Sequence, residues 1–293
     1  MMKFLVPVDF TEITNPLLRL VKNLAEYHQA EIILLHAVSP IVYLPYPESF
    51  GMSVIDLELL SDLEKKKESE AKERLKGLAD YLRPIKSELI VEVGDPAELI
   101  LEKESLADLT LMGSHRKGLL EKILVGSTAE KVARYAKKPL LIMKGKEVES
   151  FRKVLIAHDL SLHAERAFRL ALELLKPLES EVTLLHVEET IELPVVANIK
   201  EAISEKYKEE KFRYFEGLVK RAKEEGIEAK FEIREEKSPV DGILNYIKAN
   251  PDYDLLIMGS RGLSSLQRVL LGSTSSEVLR KVDIPILIYR SIE

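Results

Sequence analysis

Glycine and hydroxyl residues near the end of the chain have the types and spacing of a phosphate-binding site. They follow an apolar run of strand length and lead into a segment with helical periodicity. Glycine lets backbone N–H groups approach an anion, hydroxyls donate further hydrogen bonds, and a helix start adds unpaired amides and the positive end of the dipole. The pattern therefore predicts phosphate binding, with Gly272 needed for the turn that points the amides of Ser273 and Thr274 at the phosphate. The residues concerned are Gly259, Arg261, Gly262, Gly272, Ser273 and Thr274.

Two of these features also have plainer explanations. A Gly-x-x-Gly pair alone is usually a turn, but here a strand precedes it and Gly272 opens a helix beyond it, which favours the phosphate site. Asp9 and Asp159 follow equivalent strands and could serve as helix caps, as ligands, or as both.

The histidines near these strand ends are interpreted mainly as structural residues. His36 and His186 end equivalent strands, where we expect their ring nitrogens to be satisfied by hydrogen bonds rather than to bind a ligand. His158 precedes Asp159, and successive strand residues point to opposite faces, so a catalytic pairing of the two is not favoured.

Strand-length apolar runs alternate with helical patterns through the first half of the chain. Thr11 or Thr14 is predicted to cap the first helix, and a highly charged helix is predicted over about 53–82. The predicted strands are 4–8, 32–35, 89–93, 109–112 and 140–143.

The same order of elements then restarts, which indicates a duplicated domain. The repeat is too long for a solenoid, and the offsets between equivalent residues change only once. We predict domains at 1–147 and 148–293. The offset is 150 for Asp9/Asp159 and His36/His186, and 146 for Gly113/Gly259 and Gly126/Gly272.

Alternating strands and helices predict an α/β fold with two doubly wound, parallel, five-stranded sheets. Ligands of such sheets bind outside the carboxyl ends of the strands, where the strand order reverses. The last strands of the two halves, 140–143 and 286–289, are apolar and would be exposed edges. We therefore expect the halves to pair through them as an intramolecular pseudo-dimer, and further homodimerisation stays open.

Composition limits the classes of protein to consider. The 293 residues include 43 Lys and Arg against 49 Asp and Glu, a net charge of -6, so general nucleic-acid binding is not expected. With no cysteine there are no disulfides or thiolate metal sites. No apolar run reaches membrane-span length, so the expected location is cytoplasmic, without membrane contact. Few glutamines and many Glu and Lys fit a thermophile.

The order of these motifs, present twice, resembles a tandem universal stress protein. The likeness rests on Gly259-x-x-Gly262 followed by Gly272-Ser273, on the strand-end Asp159, and on L-L-H-V at 184–187. The first half has V-P-V-D-F-T at 6–11, L-L-H-A at 34–37 and G-D-P-A at 94–97. The resemblance implies an adenine nucleotide alpha hydrolase-like, Rossmann-like fold and a stress-response role.

The resemblance also implies ATP or AMP in a cleft, with any Mg²⁺ held through the phosphates. Asp159 and the backbone at Val187 would face adenine. Gly259, Arg261 and Gly262 would line ribose and phosphates, and Gly272, Ser273 and Thr274 would hold the phosphates. Arg116 stands where the second half has Gly262, so the second site is expected to be the better one. The second-half residues are Asp159, Val187, Met258, Gly259, Arg261, Gly262, Gly272, Ser273 and Thr274; their first-half counterparts are Asp9, Ala37, Met112, Gly113, His115, Gly126, Ser127 and Thr128.

No catalytic residue or protein metal site is predicted. The sequence lacks the Walker A, His-Glu-x-x-His and Gly-x-Ser-x-Gly patterns. We favour a nucleotide-binding regulatory module, and two alternatives stay open. One is an enzyme of slow ATP hydrolysis or nucleotidyl transfer, and the other is a stress-linked scaffold that binds no nucleotide; the sequence does not identify a protein partner.

Overall fold

The computed structural model describes residues 2–40, 57–114, 125–190, 197–260 and 271–290. None of the helices in these ranges is apolar over a length that could cross a bilayer. In the first half the elements are β1 Lys3–Pro7, α1 Thr14–His28, β2 Glu31–Val38, α2 Leu57–Tyr81, β3 Ser87–Val93, α3 Pro96–Lys103, β4 Leu109–Gly113, α4 Ser127–Tyr135 and β5 Leu140–Met143.

The second half repeats this order. Its elements are β6 Lys153–Ala157, α5 Leu162–Leu175, β7 Glu181–Glu189, α6 Ala197–Glu224, β8 Glu228–Glu236, α7 Pro239–Ala249, β9 Leu255–Gly259, α8 Ser273–Lys281 and β10 Ile286–Tyr289. The strand order in space is β3-β2-β1-β4-β5 in the first half and β10-β9-β6-β7-β8 in the second. All neighbours within a half are parallel, which confirms the doubly wound prediction.

The two five-stranded sheets join into one ten-stranded sheet. β5 and β10 pair antiparallel, with Leu141 opposite Leu287, so the apolar edge of each half is covered by the other. The pseudo-twofold pairing through the last strands is therefore confirmed. Leu141 and Leu287 contribute to the core on one face of the sheet, while Leu140 and Ile286 contribute to the core on the other. Both helical layers thus pack on a sheet that is continuous across the duplication.

The predicted cap of α1 is wrong. Its N-cap residue is Ile13, with no side-chain hydrogen bond, and the Thr14 hydroxyl is buried inside the helix start without a partner among the described residues. Thr11 instead turns back, and its amide and hydroxyl both donate to Asp9. The start predicted for α2 near 53 lies outside the described residues; the helix is described from Leu57.

Candidate functional site

A cleft of about 370 Å³ opens at the carboxyl end of the sheet in the first half. It lies where β1 is flanked by β2 on one side and β4 on the other, which is the point where the strand order reverses. Seven of the eight residues predicted for the first site line it. They are Asp9, Ala37, Met112, Gly113, Gly126, Ser127 and Thr128.

The amino end of α4 forms one wall of the cleft. Gly126 is the N-cap residue, and its amide donates to the Ser114 hydroxyl at 3.1 Å. The amides of Ser127 and Thr128 belong to the first turn, where an α-helix offers them no acceptor of its own. Their donors and the helix dipole together suit an anion at this wall.

Gly126 and Gly272 do not need the conformational freedom of glycine. Their φ, ψ angles are −61°, 150° and −61°, 155°, an extended conformation that any residue adopts. A Cβ placed on Gly126 would meet nothing within 4 Å. The expectation that glycine is required for the turn at Gly272 is therefore wrong; at Gly126 the missing side chain leaves open space beside the first-turn amides.

Gly113 and Gly259 lie at the ends of β4 and β9, where helices pack so closely that a larger residue would clash. A Cβ on Gly113 would lie 2.6 Å from Cγ2 of Ile13, and one on Gly259 would lie 2.9 Å from the carbonyl carbon of His163. Ile13 is the N-cap residue of α1, the helix that follows β1, and His163 lies in the first turn of α5, the helix that follows β6. These glycines therefore set how closely the helix start approaches the floor of the site.

Asp9 and Asp159 organise the loops after β1 and β6 rather than capping helices. One Asp9 carboxylate oxygen accepts from the amide of Thr11 at 3.2 Å, and Asp159 accepts from the amide of Ser161 at 3.1 Å. Ser161 caps α5, because its hydroxyl oxygen accepts a hydrogen bond from the backbone amide of Ala164. The interpretation of both aspartates as helix caps is therefore wrong. Asp9 borders the cleft with its carboxylate held in place.

His36 and His186 tie neighbouring strands together. The Nδ1 atom of His36 lies 2.8 Å from the carbonyl oxygen of Val8, and Nδ1 of His186 lies 2.8 Å from that of His158. Their structural interpretation is thus confirmed. The same contact in each half holds the end of β2 or β7 against the strand that leads to Asp9 or Asp159.

His158 is buried in the opposite helical layer from the cleft wall. Its Nδ1 accepts from the amide of Leu160 at 3.2 Å, and its ring packs against Tyr214 and Phe215. The Nε2 atom has no hydrogen-bond partner among the described residues. Burial lowers the pKa of His158 to about 4, against the opposing effect of Asp159, so the ring is neutral at neutral pH.

In the second half, Asp159, Val187, Met258, Gly259, Gly272, Ser273 and Thr274 occupy positions equivalent to the cleft residues of the first half. Gly272 begins α8 as Gly126 begins α4, and its amide donates to the carbonyl of Ser260 at 2.8 Å. Val187 packs on Gly242, where a Cβ would lie 2.6 Å from the valine Cγ1. The predicted residues His115, Arg261 and Gly262 lie outside the described residues.

Sequence reasoning missed the apolar wall of the first cleft and a serine that orders α4. Ser114 and Ser260 follow the glycines that end β4 and β9. The hydroxyl of Ser114 and the backbone carbonyl of Ser260 each accept a hydrogen bond from the amide of the glycine before the helix. The repeated Gly-Ser pair was a signal that could have identified them. The apolar residues come from four separate elements and loops: Ile13, Leu17, Leu35, Ile100 and Val125.

The described residues contain no group of three or more His, Cys, Asp or Glu that could hold a metal ion. Charged side chains around α4 are paired with one another. Lys131 donates to Asp95 and Glu98, each at 3.1 Å, and Asp95 also caps α3 by accepting from the Glu98 amide. These bonds lower the pKa of Asp95 and raise that of Lys131. They fix α3 beside α4 at the edge of the cleft.

The sequence profile of the Universal stress protein family matches the chain twice, over residues 1–144 and 150–290. The chain belongs to this family. The two matches lie on either side of the boundary predicted between the halves, and together they account for the tandem duplication.

Relatives of one-domain and two-domain size are both found. Universal stress protein MJ0577 of Methanocaldococcus jannaschii is 30% identical over 49% of this chain and 95% of its own length. A universal stress protein of Mycolicibacterium smegmatis is 23% identical over 98% of this chain and 96% of its own. The crystal structure of a universal stress protein from Archaeoglobus fulgidus covers 98% of both chains, with 25% identity and a TM-score of 0.72. The tandem architecture is therefore shared across the whole chain.

Proposed function

We propose that this universal stress protein binds an adenine nucleotide, ATP or AMP, at the carboxyl edge of each half of its sheet and acts as a regulatory module in the stress response. The observation that carries the proposal is the first-half cleft, which combines an apolar wall with the amino end of a helix. Its volume of about 370 Å³ falls in the range of small-molecule sites.

The two walls suit the two chemical ends of a nucleotide. Ile13, Leu17 and Ile100 offer an apolar surface to a planar base, and Asp9 and the backbone at Ala37 lie beside it as polar groups that fix its orientation. The amides and hydroxyls at the start of α4 suit phosphate. This division supports a nucleotide over free phosphate, which would leave the apolar wall unused.

Any Mg²⁺ would be held chiefly by the phosphates, because the described residues supply no cluster of carboxylates or histidines for it. When bound, the ion would neutralise phosphate charge. The protein's contribution would then be to orient the base through the cleft wall and the phosphates through the first turns of α4 and α8.

The nucleotide carried by the purified chain tests the proposal. The protein is denatured, and the released small molecules are separated by chromatography and identified by mass. ATP or AMP at up to two per chain is the expected result. A chain that releases none and shows no calorimetric heat with ATP or AMP would instead be a scaffold without nucleotide.

The site variants Gly126→Glu and Gly272→Glu place a carboxylate where phosphate is proposed to lie. Gly77→Glu is the matched control, because Gly77 is exposed on α2 and a Cβ there also meets nothing within 4 Å. Turnover of ATP by the wild type and by an Arg261→Ala, Ser273→Ala variant then separates binding from slow hydrolysis. Equal, trace-level rates would leave the chain a binding module.

A further inference from the structure

Two buried cations cross the junction between the halves. Lys144 directly follows β5 and Arg290 directly follows β10, and their exposed fractions are 1% and 5%. Because β5 and β10 run antiparallel side by side, each strand delivers the side chain beyond its end into the opposite half. A buried cation is costly unless it is paired, so the partners of these two side chains matter.

Each cation binds the carboxyl end of a helix in the other half. Lys144 Nζ donates to the carbonyl of Leu279 at 2.5 Å, in the last turn of α8. Arg290 donates to the carbonyls of Ala133 and Arg134, both at 3.1 Å, in the last turn of α4. A helix leaves its final carbonyls without partners, and its dipole favours a positive charge there.

The contact of Lys144 with α8 and that of Arg290 with α4 are equivalent in the two halves. Lys144 and Arg290 are 146 positions apart, and so are their acceptors, the carbonyl of Leu279 for Lys144 and that of Ala133 for Arg290. This is the offset that relates the two helices themselves, Ser127–Tyr135 and Ser273–Lys281. A contact repeated with the period of the duplication belongs to the architecture of both halves.

Each cation also lies near a carboxylate of the half into which it reaches. Asp283, just after α8, raises the pKa of Lys144, but burial has the larger effect and lowers it to about 8, so the ammonium still predominates at neutral pH. Glu104 faces Arg290 and accepts from the amides of Lys137 and Lys138, which directly follow α4. The carboxyl ends of both helices are therefore fixed by charge as well as by packing.

The helices bound by these cations, α4 and α8, are the two whose amino ends are proposed to bind phosphate. Each has nine residues and is roughly 14 Å long at the usual rise, so a shift at one end moves the other. We propose that Lys144 and Arg290 are positioning residues exchanged between the halves, each holding the phosphate-binding helix of the other half's site. The inference rests on the proposed function in assigning phosphate to α4 and α8.

Methionine replaces each cation in the full chain to test this. Arg290→Met should weaken nucleotide binding to the first site about three- to tenfold and leave the second unchanged, and Lys144→Met should do the reverse. Each affinity is measured by calorimetry with the opposite site blocked by Gly126→Glu or Gly272→Glu. Arg290→Lys and Lys144→Arg keep the charge and should restore most of the loss.

The matched controls remove exposed cations from the same helix ends. Arg134→Met on α4 and Lys281→Met on α8 remove charges that, among the described residues, form ion pairs within their own helix, with Glu130 and Glu277. They should change either affinity by less than twofold. A purely structural role for the buried cations would weaken both sites together or lower only the melting temperature, and either result would overturn the proposal.

Amide hydrogen exchange decides the inference even without nucleotide. In the unliganded chain, Arg290→Met should speed exchange along α4 with α8 at the wild-type rate, and Lys144→Met should speed exchange along α8 alone. Equal changes in the hydrogen-exchange rates of α4 and α8, or no change in either, would refute the proposal that each half positions the helix of the other. If the crossed pattern appears but the wild type binds no nucleotide, the positioning stands and the proposed ligand fails.

Discussion

Replacing Gly126 by valine separates the binding role of this residue from its role in folding. The backbone there, at φ −61° and ψ 150°, lies in the extended region that β-branched residues favour, and a Cβ would meet nothing within 4 Å. The substitution should therefore cost the fold only about 1 kcal/mol or less, since it exchanges one uncapped N-cap residue for another. For a half of this size that is a melting shift of about 2–4 °C.

The expected loss of binding is much larger. The branched side chain would fill the open space beside the first-turn amides of Ser127 and Thr128, where phosphate is proposed to lie. Loss of two charge-assisted hydrogen bonds, at about 1.5 kcal/mol each, amounts to about 3 kcal/mol. That corresponds to an affinity roughly two orders of magnitude lower at the first site.

The assay compares two numbers on one protein. Thermal unfolding without ligand gives the cost to the fold, and calorimetry with ATP in a Gly272→Glu background gives the affinity of the first site alone. Gly272→Val, with Gly126→Glu blocking the first site, repeats the test on α8. A variant that melts several degrees lower but binds with wild-type affinity would mean that Gly126 only ends the preceding segment, and the reasoning would be refuted.

Three other predictions concern affinity, pH and assembly. The second site should bind more tightly than the first, because Arg116 stands where the second half has Gly262; calorimetry on the two single-site chains checks this, and equal affinities contradict it. Burial lowers the pKa of His158 from its usual 6.5 to about 4, so the unfolded chain binds the extra proton and the free energy of unfolding should fall by about 3 kcal/mol as pH drops across that window. Urea unfolding at several pH values should show this slope in the wild type and a flatter one in His158→Phe; parallel slopes would contradict it. A chain cut to 1–147 exposes β5 and should dimerise in ultracentrifugation, whereas a fully stable monomer would contradict the pairing argument.

The features predicted correctly from the sequence are those marked by short motifs that occur in both halves of the chain. Strand ends at Gly113 and Gly259 and helix starts at Gly126 and Gly272 are marked by short motifs, and the constant offset between them reveals the duplication. The edge-to-edge junction followed from the apolar character of the last strands, because such an edge must be covered.

The features that sequence did not predict depend on residues brought together by the fold. Ile13, at the start of α1, and Ile100, on α3, line the same cleft although they are far apart in the chain. Lys144 and Leu279 are separated by 135 positions, and nothing local distinguishes this lysine from the many exposed ones. The glycine at 272 was assigned a conformational role that its φ does not require, because sequence reports the residue type but not the backbone angle.

The central claim is that nucleotide binds at the amino ends of α4 and α8, and one calorimetric comparison tests it most directly. ATP is titrated into the wild-type chain, into the double variant Gly126→Glu, Gly272→Glu, and into the Gly77→Glu control. ATP should bind the wild type and the control, and this binding should be lost in the double variant. Binding of undiminished affinity in the double variant, or no binding to the wild-type chain after bound nucleotide has been removed, would contradict it.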